Sequence, residues 1–69
     1  MELSARNQVP GRVAKLTLGA VMAEVTIDLG GGTTIVAAIT RAAAESLDLK
    51  EGAEVVAVVK ATDVMVGKR

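Results

Sequence analysis

Four side chains rich in hydrogen-bonding groups, Ser4, Arg6, Asn7 and Gln8, crowd into LSARNQVPG near the start of the chain. A hydroxyl and a cation recur later, as Thr40 in AIT and Lys60 in VKATD. Nucleophilic chemistry would need a base oriented beside a hydroxyl. With no histidine and no cysteine, only Ser4 or Thr40 near Lys60 could supply it, and the eight carboxylates show no paired spacing for acid-base work. An enzyme is not expected, nor is a free metal cation held by thiolates and imidazoles. What stays is a set of hydroxyls and cations at the edges of apolar runs. Plainer roles also fit: Thr40 as a helix cap, Lys60 as a snorkelling stem, Asn7 with Gln8 as turn formers.

Composition narrows what these groups can meet. Eight basic and eight acidic residues cancel, so no overall field steers the chain to nucleic acid or an anionic membrane, and any anion site must be local. Barrels that bind single strands stack bases on aromatic side chains in a basic groove, and Phe, Trp and Tyr are all absent. Neither nucleic acid nor membrane is expected as a partner. The uncharged stretch 29–40 holds three glycines and three threonines and is too short and polar to span a bilayer. Residues 1–11 lack the apolar core of a secretory signal, which makes the cytoplasm the expected location. The 69 residues suffice for one domain, spanning 1–69, and a chain this small with no disulfide is expected to gain stability from oligomerisation.

The elements that position the polar groups follow from periodicity. In residues 12–18, RVAKLTL alternates loosely, with Ala14, Leu16 and Leu18 on one face and Val13, Lys15 and Thr17 on the other. Residues 21–29 alternate cleanly: Val21, Ala23, Val25, Ile27 and Leu29 against Met22, Glu24, Thr26 and Asp28. Gly30, Gly31 and Gly32 then turn the chain into a strand over 33–40, forming a hairpin. A phosphate-cradling loop is the weaker reading of GGGTT, because a strand and not a helix follows. RAAAESLDL, residues 41–49, reads as a short helix capped by Thr40 and stopped by residues 48–52. AEVVAVVKA, residues 53–61, is a strand apolar on both faces, as if covered on both sides. VMV, residues 64–66, reads as a last short strand, and residues 67–69 as a tail. Three strands, a helix and two strands give an all-β fold, a small five-stranded OB-like barrel with its helix between strands 3 and 4.

The motifs also carry a resemblance. SARNQ, GAVMAEV (19–25), AAIT (37–40), LDLKEG (47–52) and VKATDVM (59–65) together resemble the molbindin, or Mop, family of small molybdate-binding TOBE-like domains, over roughly residues 3–66. The resemblance implies a cytoplasmic homohexamer, a trimer of dimers, that binds molybdate or tungstate between subunits for molybdenum storage and homeostasis. It implies that Ser4, Ala5, Arg6, Thr40, Lys60 and Ala61 hold the oxyanion, and that a second oxyanion site near the three-fold axis involves Gly19, Ala20, Val21 and Met22. Met22 stands where the family's pattern usually has Asn, and Thr62 where it often has Ser. The alternative is an oligomerisation or oxyanion-sensing module of a molybdate transport or regulatory system.

That assignment is physically coherent. Molybdate is a tetrahedral dianion with four acceptor oxygens and no proton at neutral pH, so its site supplies only donors. Arg6 and Lys60 offset the charge, while Ser4, Thr40 and an amide near Ala61 fill the remaining oxygens. Hydrogen bonds to charged groups contribute roughly 1.5–3 kcal/mol each. About five of them, less ordering and desolvation costs, reach the micromolar range or better. Hydrogen phosphate, whose proton needs an acceptor, is disfavoured; excluding sulfate depends on cavity size.

Overall fold

The computed structural model describes residues 4–69. Leu3, which heads the opening motif, lies outside them, as do the two residues before it. The chain forms β1 (Asn7–Leu18), β2 (Met22–Gly30), β3 (Thr33–Thr40), α1 (Arg41–Ser46), β4 (Glu54–Val59) and a 3-10 turn, Ala61–Asp63. The strands build one antiparallel sheet in the order β3-β2-β1-β4. Among the described residues it is a curled half-barrel of four strands rather than five.

β2 and β3 form where alternation predicts them. Ala23, Val25 and Ile27 are buried, and opposite them on the same face stand Ile39, Ala37 and Ile35 of β3. The hairpin turn uses positive φ at Gly30, Gly31 and Gly32, a conformation that side chains with a Cβ resist. The Asp28 carboxylate accepts the Gly30 N–H at 2.8 Å.

β1 departs from strict alternation. Val13 pairs with Ile27 but Lys15 pairs with Thr26, so Ala14 is an extra residue, a bulge. The bulge restores the inward direction after an odd step, and Val13 and Leu16 therefore pack in one core with Val25, Ile27 and Ala57. The expected split, with Val13 facing away from Leu16, is corrected by that bulge. β1 also begins earlier than its apolar pattern, at Asn7, because its first half is recruited by β4: residues 7–12 pair with β4 and residues 12–18 with β2. The changeover needs Gly11, where a Cβ would lie 2.7 Å from the Asp28 carbonyl oxygen and 2.7 Å from the Ile27 side chain.

The remaining differences lie in the second half of the chain. α1 ends at Ser46 rather than Leu49 because the Leu49 N–H bonds the Ala44 carbonyl and the Asp48 N–H bonds the Glu45 carbonyl, with Asp48 in the left-handed region at φ 52. This is a Schellman stop, with Asp48 in the position glycine usually takes. Among the described residues the expected fifth strand does not form: after the 3-10 turn, Val64, Met65 and Val66 are exposed and belong to no strand. On β4, Ala57 is buried, whereas Val56 and Val58 on the opposite face are each 42% exposed. The second apolar face that the sequence shows is uncovered within one chain.

Candidate functional site

The pairing of Asn7 with Val59 sets the start of β1 against the end of β4. Ser4, Ala5 and Arg6 precede Asn7, and Lys60 and Ala61 follow Val59, so five of the six residues expected at the main site meet at one corner of the sheet. The Gln8 side-chain amide donates to the Ala5 carbonyl at 3.0 Å, the Asp63 N–H to the Lys60 carbonyl at 2.9 Å, and the Val64 N–H to the Ala61 carbonyl at 3.3 Å. Three acceptors that would repel an oxyanion are thereby engaged. Among the described residues, the N–H groups of Ala61 and Thr62 have no partner, and neither Arg6 nor Lys60 takes part in an ion pair. Ser4, Arg6, Lys60 and Ala61 are all exposed.

Thr40 is not at this corner. It ends β3 opposite Met22, at the other end of β1 and on its other side. A 12-residue strand rising about 3.3 Å per residue covers on the order of 35–40 Å if straight, as long as the molecule's largest extent of 36 Å. One tetraoxyanion, a few ångströms across, cannot touch both corners of the same chain. The Thr40 hydroxyl caps α1, accepting the Ala43 N–H at 3.0 Å, as the plainer reading held. Its own proton stays available to donate.

Gly19, Ala20, Val21 and Met22 lie beside Thr40, in the turn between β1 and β2. The Gly19 N–H donates to the Met22 carbonyl at 2.8 Å, the Arg41 N–H to the Val21 carbonyl at 2.8 Å, and the Arg41 Nη1 to the Gly19 carbonyl at 3.2 Å. Among the described residues the N–H groups of Ala20 and Val21 have no partner. Arg41 also meets Glu45 through Nε at 2.8 Å. Sequence reasoning missed this arginine, placing it only in the helix. The available signal was a cation directly after Thr40 with a carboxylate four residues on.

Chemically, the two corners offer hydroxyls, amides and cations, and the carbonyls of Ala5, Lys60, Ala61, Gly19, Val21 and Met22 are engaged in hydrogen bonds. Among the described residues no polar or charged side chain is buried, so a single chain presents these donors at its surface without enclosing anything. No helix among them is long and apolar enough to cross a membrane.

A family model described as the TOBE domain matches residues 3–66. The chain is 50% identical over 66 residues to molybdenum-pterin-binding protein 2 of Clostridium pasteurianum, covering 96% of this chain and 97% of that protein. Among solved structures it resembles a molybdate-binding protein from Sporomusa ovata, with TM-score 0.91 and 43% identity over 99% of this chain and all of the other. It also resembles the cytoplasmic molybdate-binding protein ModG in a form with molybdate bound, with TM-score 0.83 and 56% identity over 88% of this chain and 43% of that one.

Proposed function

Because the chain belongs to the molbindin family of TOBE domains, we propose that it binds molybdate or tungstate reversibly between subunits and so stores molybdenum in the cytoplasm. The observation that carries this reading is the corner where Ser4, Arg6, Lys60 and the Ala61 amide converge with their neighbouring carbonyls engaged. Its hydroxyl, amide and cations supply donors to an ion with no proton to give. The placement of Thr40 supports binding between copies, since only Thr40 of a neighbouring copy could complete the set. The uncovered Val56, Val58 and residues 64–66 supply apolar surface for that assembly, which we take to be a homohexamer arranged as a trimer of dimers. Residues 19–22, with two amides that have no partner among the described residues, form the second oxyanion site. The 69 residues act as one domain, and the mechanism is binding without chemistry.

Native mass spectrometry of the full chain with and without sodium molybdate tests this in one experiment. Six subunits with molybdate bound are expected; a monomer that takes up no molybdate overturns the reading. The alternative, a sensing or assembly module within a molybdate transport or regulatory system, is favoured by one observation: the chain corresponds to 43% of the ModG chain, so this fold also occurs as part of a longer protein.

A further inference from the structure

We propose that Arg41 governs the oxyanion site at residues 19–22, fixing its main chain and supplying its positive charge, with Glu45 holding that charge in check. This rests on the reading of those residues as the second site. Two contacts from one residue set the turn: the Arg41 N–H takes the Val21 carbonyl at 2.8 Å and Nη1 takes the Gly19 carbonyl at 3.2 Å. With the Met22 carbonyl held by the Gly19 N–H, three of the four carbonyls of residues 19–22 are occupied. The N–H groups of Ala20 and Val21 are left without partners among the described residues. The main chain alone would give this site two neutral donors and no charge. Arg41 supplies the cation: Nε is engaged by Glu45 and Nη1 by Gly19, whereas Nη2 has no partner among the described residues. Lysine could not reproduce this, because a point charge lacks the fork that holds a carbonyl and a carboxylate while keeping further N–H groups free.

Glu45 shapes the outcome in the opposite direction. Its carboxylate lies 2.8 Å from Nε and places a negative charge beside the anion's position. The site is thus electrostatically weaker than the Arg6 and Lys60 corner, where no carboxylate among the described residues pairs with either cation. Two oxyanion sites of different affinity on one chain follow, the weaker one filling at higher oxyanion concentration.

Titration calorimetry of the full chain with sodium molybdate at low salt tests this, using a background of Arg6→Ala with Lys60→Ala to isolate the site at residues 19–22. Arg41→Ala is expected to weaken that binding by about tenfold or more, as loss of a charged donor does. Arg41→Lys should restore only part of it. Glu45→Gln keeps an acceptor for Nε while removing the charge, and should tighten binding by about threefold. A purely structural role for the pair would not produce that tightening. If Arg41→Ala misfolds, Glu45→Gln and Arg41→Lys still decide. Binding in this background that neither Arg41 nor Glu45 substitutions alter overturns the role of Arg41 and leaves the second site standing. Absence of any second binding class, in the background and in the unsubstituted chain alike, overturns the second site and this inference with it.

Discussion

The two ends of the sheet present their cations in different ways. At the corner where β1 starts and β4 ends, the charge is carried by Arg6 and Lys60, both exposed and without ion-pair partners among the described residues. At the corner where β3 ends and β1 turns into β2, the cation is Arg41, already bound to a carbonyl and a carboxylate. The first corner is a set of exposed side chains beside a main chain with three of its carbonyls engaged. The second is a turn whose geometry is set within the chain. On the proposed reading, the first corner draws its charge from side chains free of ion pairs among the described residues, and the second from an arginine held by a carbonyl and a carboxylate.

Four perturbations break or sharpen this contrast. Removing both loose cations, Arg6→Ala with Lys60→Ala, should weaken molybdate binding at the first corner by roughly a hundredfold, and either change alone by about tenfold. Calorimetry that shows unchanged affinity would remove these residues from the site. Next in size, Gly11→Ala forces a Cβ against the Asp28 carbonyl and should cost about 1–3 kcal/mol of stability. Because β1 changes partner there, thermal unfolding should shift downward as a single transition, whereas a shift confined to one corner would show that the two ends are independent. Thr40→Val removes the cap on α1 and should cost about 1 kcal/mol, while Thr40→Ser should cost little. The sharper readout is which binding class it weakens: loss in the class that depends on Arg6 places Thr40 of a neighbouring copy at the first corner. The smallest effect is expected for Asp48→Gly, which relieves the left-handed backbone at φ 52 and should stabilise the chain by up to about 1 kcal/mol with binding unchanged at both corners.

The sequence made some of this visible and hid the rest for identifiable reasons. β2 and β3 were legible to within a residue because one buried face and one solvated face produce clean alternation in Ala23, Val25 and Ile27. β1 was legible only in part, since a bulge at Ala14 is a property of pairing with β2 and leaves no mark in β1 alone. Its early start at Asn7 was hidden for the same reason, as β4 recruits polar residues that no periodicity announces. VMV has strand composition without a strand, because composition expresses a preference and pairing needs a partner. At the candidate site, Ser4, Arg6 and Lys60 could be singled out as unexplained cations and hydroxyls, and register then joined them. The separation of Thr40 from them, and the grip of Arg41 on Gly19, follow from topology and were not legible.

The register that joins Asn7 to Val59 also has a kinetic meaning. β1, β2 and β3 are joined by turns of two or three residues, and such local hairpins close quickly, whereas bringing β4 to β1 closes a loop that spans most of the chain. The meander should therefore form first and β4 dock last. A chain still emerging from the ribosome, or one opened transiently at β4, would keep the turn at residues 19–22 intact while the corner of Arg6 and Lys60 did not yet exist. On the proposed reading, molybdate bound at that corner would lengthen the lifetime of the closed sheet without touching the hairpins of the meander.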